Sequence, residues 1–357
     1  MRNIKTQLNL NEVPFKPGGP IVAMLRASAA AVNRYPEWDA MTLRSALADH
    51  YGVDADWIVV SGAGSIGLIQ QAMVASGQGE IIYSWPSFEA FDLAAGALRM
   101  PIRHVGLMNN ACDLQAYNSA LNERTSMAIV CTPNAPTGGI VRQQELESFI
   151  KQVPKQVLIL VDEAYGEFVD ADASIDALGL VKKYANVMVT RTFSKAYGLA
   201  GVRVGYAIAQ PQLALQVIKA GLPFPVPAPF QAAVLAALAD RQRLDKQVSR
   251  INEERHRLAN KLRSLGVEVV DGYGNFVWLP VADKAAAVAQ TLQEQGVLVK
   301  PVMPYGVRIT VGTAKDTDAV YTAWQQADLT NVIYPAPEAS PVVETTPDLL
   351  QSQQLPA

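Results

Sequence analysis

The chain has 357 residues, half of them hydrophobic and 18% charged, enough to bury a large core and to divide into two domains. A formal net charge of −3 with no long basic run weighs against a nucleic-acid surface and leaves small molecules as the expected partners. Two cysteines without CxxC spacing and three scattered histidines form no sequence-local metal motif, so no metal is expected.

The opening "MRNIKTQLNLNEVPF" carries no apolar signal core, and no apolar run reaches membrane-spanning length, so a cytoplasmic chain without a membrane partner is expected. From about residue 40 to 210, the apolar runs "WIVVS", "GEIIYS", "SMAIVCT", "QVLILVD", "NVMVTR" and "RVGYAIA" alternate with helical patterns. This alternation predicts an α/β domain with a mainly parallel sheet, whose strands are apolar nearly throughout because both faces are covered.

The first run leads into "WIVVSGAGSIGLIQQAM" (57–73), a strand, a glycine turn and an amphipathic helix. Gly62, Gly64 and Gly67 fit the G-x-G-x-x-G of dinucleotide sites. Such a site also needs a ribose-binding carboxylate at the end of the next strand, and "GEIIYSWPSF" has its only acid, Glu80, at the beginning. A nicotinamide oxidoreductase is therefore an incomplete reading. The general property remains: unpaired N–H groups at a helix N-terminus seat a phosphate.

Next comes "CTPNAPTGG" (131–139), a turn rich in proline and glycine. "LILVDEAYGEF" (158–168) then sets Asp162 and Glu163 directly after an apolar strand, where α/β proteins put function. Asp162 suits either a helix N-cap or a partner that keeps a pyridine nitrogen protonated, Tyr165 suits a donor to a phenolic oxygen, and Glu163 suits a structural role. In "TRTFSKAYGLAGVRVGYAIA" (190–209), Lys195 lies in a small-residue loop between two strands. It is either a solubilising surface lysine or an amine that attacks a carbonyl to form a Schiff base. Ser194 and Arg203 beside it suit a phosphate.

After the proline-rich "KAGLPFPVPAPF" (219–230), one long helical stretch runs from Gln231 to Gly266. It leads to expected strands "VEVVDG", "GNFVWLP", "GVLVKP" and "VRITVG", and to helices "ADKAAAVAQTLQEQ" and "AKDTDAVYTAWQQA", an α+β module. Residues 330–357 are proline-rich and without periodicity, and a disordered tail is expected there.

These segments together resemble the fold-type I pyridoxal-phosphate aminotransferases, most closely the histidinol-phosphate aminotransferase branch, over roughly residues 7 to 325. The resemblance implies a large mainly parallel α/β/α domain over residues 26–225 that binds pyridoxal 5'-phosphate, and a helix and smaller α+β domain over 226–329, which the segment 1–25 joins. It makes Lys195 the Schiff-base lysine, Asp162 and Tyr165 ligands of the cofactor ring, and Gly64, Ser65, Ile66, Ser194 and Arg203 ligands of its phosphate. Phe88 in "WPSFEAF" matches the aromatic that stacks on the ring, and Tyr35 in "NRYPEW" the tyrosine that reaches the phosphate of the neighbouring subunit, which implies a homodimer. Arg308 in "YGVRITVGT" resembles the clamp on the substrate α-carboxylate, and Asn11 and Glu12 in "LNLNEVPF" fall near the substrate mouth.

Three positions depart from the family pattern. Asn134 is followed by Ala135 where two asparagines are usual, which makes Asn134 the candidate for the cofactor-facing role. Ile66 and Gly67 replace an acidic pair, which favours an aromatic or apolar donor over histidinol phosphate. Lys300 stands for a frequent arginine, a short stretch before Arg308. The expected reaction is ping-pong amino transfer between an amino acid and a 2-oxo acid. A decarboxylase of the same fold and a catalytically silent ligand-binding relative are the competing readings.

Overall fold

The computed structural model describes residues 4–327, Leu329 and the backbone of Glu344–Thr345. In chain order its strands are β1 (Thr6–Leu8), β2 (Ile58–Ser61), β3 (Glu80–Ser84), β4 (Ile102–Val105), β5 (Leu107–Met108), β6 (Ala111–Cys112) and β7 (Thr125–Cys131). There follow β8 (Leu158–Asp162), β9 (Val187–Thr192), β10 (Gly205–Ala209), β11 (Phe276–Leu279), β12 (Val297–Val302), β13 (Gly306–Thr310) and β14 (Glu344–Thr345).

The larger sheet has the order β14-β4-β3-β7-β8-β9-β10-β2. Strands β4, β3, β7, β8 and β9 run parallel, whereas β10 is antiparallel to both β9 and β2. The six apolar runs of the first half all become strands of this sheet, because each can be buried on both faces. Alternation divides them between two cores: Met127, Ile129, Leu158 and Leu160 belong to one, and Ala128, Val130, Ile159 and Val161 to the other.

Beyond it, β1-β12-β13-β11 form a second sheet in which β1 runs parallel to β12 and the remaining neighbours are antiparallel. The beginning of the chain thus pairs with a strand almost three hundred positions later, through Thr6 with Val297 and Leu8 with Val299.

Two expectations need correction. The stretch 231–266 is not one helix: it breaks at Asp240 into Ala228–Ala239 and Arg241–Arg263, where the Asp240 carboxylate accepts the Arg243 amide at 3.2 Å and caps the second helix. "VEVVDG" is not a strand either, and only Val270 makes an isolated bridge, to Trp278. The expected tail lies outside the described residues except for β14, which pairs antiparallel with Arg103 and Ile102 at the sheet edge. Among the described residues, no helix is long and apolar enough to cross a membrane.

Candidate active site

Parallel strands end together, and here the ends of β7, β8 and β9 align Cys131 with Asp162 and Asp162 with Thr190. Asp162 is 2% exposed. Its Oδ1 accepts the Thr190 hydroxyl at 3.2 Å and the Ala164 amide at 3.1 Å. Burial pushes the carboxyl up from 3.8 to about 6, against these two hydrogen bonds. The bond to Ala164 is an Asx-type turn two residues long, and the short helix Gly166–Phe168 that follows has no side-chain cap, so the N-cap reading of Asp162 gives way. Glu163 is structural as expected: its Oε2 accepts Arg191 Nε at 3.0 Å and Nη2 at 2.8 Å.

The glycine turn after β2 is shaped by what packs on it. Gly64 has φ 72°, and a Cβ there would lie 3.0 Å from Arg203 Nη2. At Gly67 a Cβ would meet Ser61 Oγ at 2.4 Å, so the third glycine serves close packing on β2. Helix Ser65–Ala75 begins with no side-chain cap. The Gly64 N–H is not a free donor, since it bonds to Arg203 O at 2.9 Å; the donors left at this helix start include Ser65 and Ile66. Arg203, itself left-handed at φ 60°, brings Nη1 within 3.4 Å of Ser194 Oγ and Nη2 within 3.3 Å of Ala63 O. A helix N-terminus, a hydroxyl and a guanidinium therefore converge, a donor set that suits a phosphate.

Lys195 lies over Tyr165, its Nζ 5.5 Å from the ring centroid and 3.3 and 3.4 Å from the carbonyl oxygens of Leu10 and Asn11. Asn11 connects three parts of the site. Its side-chain amide donates to the Tyr165 hydroxyl at 2.8 Å, its Oδ1 accepts the Thr310 hydroxyl at 3.0 Å, and its carbonyl accepts Asn275 Nδ2 at 2.9 Å. At 1% exposure and φ 55° it is a bracket for Tyr165. Glu12, next to it, is exposed. Thr310 and Asn275 were not anticipated; the one available signal was a polar residue bordering an apolar strand.

Arg308 on β13 donates from Nη2 to Asn9 O at 2.8 Å, and its Nε is buried with no hydrogen-bond partner. Burial pulls the guanidinium below its ordinary value. Its Cζ lies 5.9 Å from the Phe276 ring, which meets Tyr165 edge-on at 5.2 Å. A half-buried guanidinium whose Nε is an unfilled buried donor, in aromatic surroundings, is suited to an incoming carboxylate. Phe88, 38% exposed, is held edge-on against Phe91 at 5.5 Å.

Asn134 has its side-chain hydrogen bonds taken up by protein partners. It is 0% exposed, gives its two amide protons to Pro86 O at 3.0 Å and Thr137 Oγ1 at 2.8 Å, and accepts the Ser87 hydroxyl at 2.7 Å. It braces the turn before Phe88. Asn134→Ala is expected to lower stability by about 2 kcal/mol, because the Pro86 carbonyl and Ser87 hydroxyl lose buried partners; urea unfolding measures this.

Comparison with known proteins agrees with this arrangement. The family model "Aminotransferase class I and II" matches residues 3–323. An aromatic amino acid aminotransferase of Thermobifida fusca (strain YX) is 40% identical over 318 residues, 88% of each chain. One from Streptomyces coelicolor is 39% identical over 320 residues, covering 87% of this chain and 88% of its own. The crystal structure of histidinol-phosphate aminotransferase from Sinorhizobium meliloti, in complex with pyridoxal-5'-phosphate, superposes with a TM-score of 0.84 at 26% identity over 91% of both chains. The sequence match over most of the chain and the shared fold lead to one conclusion: the protein belongs to the class I and II aminotransferases.

Proposed function

We propose that the protein is an aromatic amino acid aminotransferase that uses pyridoxal phosphate and binds the donor through Arg308. The observation that carries this reading is the contact path from Lys195 through Asn11 to Tyr165, with the unfilled Arg308 Nε beside the Phe276 ring. The Ser65 and Ile66 amides, Ser194 and Arg203 would hold the phosphate, Phe88 would cover one face of the ring, and Asp162 would keep a proton on the pyridine nitrogen. When bound, the cofactor supplies a carbonyl that accepts the amino group and a ring that withdraws electrons from the substrate. Arg308 orients the substrate by its α-carboxylate, and the Lys195 amine takes the proton from Cα. Tyr165, held by Asn11, would donate to the ring's phenolic oxygen.

The aromatic donor class rests on Phe88, Tyr165 and Phe276, on apolar Ile66, and on the two relatives' activity. A homodimer also belongs to this proposal. Tyr35 is 84% exposed and stacks on Phe224 at 4.8 Å, with Trp38 edge-on to the same ring at 5.0 Å. Such an exposed aromatic surface suits a second copy, whose phosphate Tyr35 would reach. Arg308→Ala is expected to reduce kcat/KM for phenylalanine by about a hundredfold, since a charge-assisted carboxylate contact is lost from an aromatic surrounding. Steady-state kinetics with phenylalanine check this, and an unchanged value would remove Arg308 from the site.

A further inference from the structure

Helix Arg241–Arg263 buries one face, and two of the residues on that face are polar. Gln247 and Arg255 are 7% and 4% exposed, on the same stripe as Ile251, Leu258 and Leu262. Burying such side chains among apolar ones is costly unless they are paired, so their partners show what they are for. Gln247 Nε2 donates at 3.0 Å to the carbonyl of Ala196, the residue after Lys195. Arg255 Nη1 donates to Gly274 O at 2.9 Å and to Asn252 Oδ1 at 2.6 Å. Asn252 Nδ2 in turn donates at 3.2 Å to Phe168 O, at the end of the segment that carries Tyr165. Asn275, next to Gly274, holds the Asn11 carbonyl that accepts the Lys195 amine. One helix face therefore grips Lys195 at both ends, its backbone through Gln247 and its Nζ by way of Arg255 and Asn275.

This inference rests on the reading of Lys195 as the amine of the reaction. We infer that Gln247 is a positioning residue for Lys195: from the long helix it fixes the peptide beside the lysine, and so fixes where the amine stands over Tyr165. The other bonds of the loop are local. Phe193 N donates to Val204 O at 3.1 Å, Gly198 N to Lys195 O at 2.8 Å and Leu199 N to Phe193 O at 3.0 Å, which closes the loop on itself and on the chain entering β10. They leave Ala196 O to the helix. Without the Gln247 amide this carbonyl must turn toward another donor, and turning the Ala196–Tyr197 peptide moves the backbone from which the lysine side chain springs. A long side chain magnifies a small rotation at its base. The amine then leaves its place 5.5 Å from the Tyr165 ring centroid.

The test compares Gln247→Met with Gln210→Met. Gln210 Nε2 likewise donates to backbone carbonyls, Val181 O at 3.1 Å and Lys182 O at 3.2 Å, but it lies beyond the end of β10 remote from Lys195. In the full-length chain without cofactor, Lys195 is acetylated by a limiting amount of acetic anhydride and its rate is read by peptide mass analysis. Gln247→Met is expected to raise that rate about fivefold, the effect of one lost hydrogen bond on the seat of the amine. Gln247→Glu, which keeps the length and sets an acceptor against the carbonyl, should shift it in the same direction. In the cofactor-loaded protein, Gln247→Met should lower kcat for phenylalanine about a hundredfold, the scale of misplacing a reacting group by about 1 Å. KM should change little, because Arg308 and β13 are untouched. A merely structural role would lower stability to urea in both methionine variants and move neither lysine readout. Unchanged Lys195 acetylation in the two Gln247 variants, or an equal rise in Gln210→Met, overturns the inference. The proposed function fails by a different result, namely no transfer of an amino group from phenylalanine by the unaltered protein.

Discussion

Lys195→Ala is expected to lower amino transfer from phenylalanine by about ten-thousandfold, the scale of losing a positioned proton carrier together with a covalent attachment point. The reason lies in the seat of the amine. Its Nζ is held over Tyr165 and between the carbonyls of Leu10 and Asn11, at 3.3 and 3.4 Å, by backbone that the left-handed Asn11 directs inward. Neither flanking residue offers a second amine: Ser194 is engaged by Arg203, and Ala196 is apolar and buried. Single-turnover kinetics measure the loss. Borohydride reduction followed by peptide mass analysis of the unaltered protein should place the pyridoxyl group on Lys195. Transfer at the normal rate by the alanine variant would contradict its role.

Asp162→Asn is expected to separate stability from activity. The Asp162 carboxyl is raised by burial from 3.8 to about 6, so the cofactor-free folded chain holds this proton more tightly than the unfolded chain does. Its contribution to stability is complete below pH 4 and is lost as the pH rises through about 6. The corresponding cost at pH 7 is about 3 kcal/mol. Asparagine keeps an acceptor for Thr190 and Ala164 without the charge. The cofactor-free variant should therefore melt several degrees higher at pH 7 than the unaltered chain, with the gap closing toward pH 4. Amino transfer should fall about a thousandfold, because a neutral amide cannot hold the pyridine nitrogen protonated. Thermal melts across pH check the first effect and kinetics the second. Equal melting at pH 7 would mean that Asp162 has a partner in the cofactor-free chain.

The same physical reasoning picks out candidates for the site in the sequence. An acid placed at the end of "LILVD" is costly to bury, which makes it a candidate for the site. Lys195 was readable for a similar reason, as a cation in a loop of small residues between strands. The six apolar runs of the larger sheet were legible because strands covered on both faces need no polar alternation. Strand β4 was not legible, since "IRHV" carries two polar residues; Arg103 is satisfied by Glu80 at 2.9 Å and His104 by Asp92 at 3.0 Å. The break at Asp240 was hidden because helical periodicity continues on both sides of it.

Asn134 illustrates the limit more sharply. Its partners Pro86 and Ser87 lie 48 and 47 positions earlier, on a loop that folding brings beside the turn. No local pattern distinguishes an amide aimed at a ligand from one aimed at a neighbouring loop. Asn11 is the same case over 299 positions, where its pairing with Thr310 fixes it as a bracket for Tyr165.

The most direct test of the central claim is the visible spectrum of the protein loaded with pyridoxal phosphate, recorded before and after one addition of phenylalanine without an acceptor, with the products analysed. An aromatic aminotransferase loses the cofactor's visible band and releases phenylpyruvate, about one per active site, with no carbon dioxide. Carbon dioxide with the corresponding amine in place of phenylpyruvate, or a folded protein that never acquires the band, would contradict it.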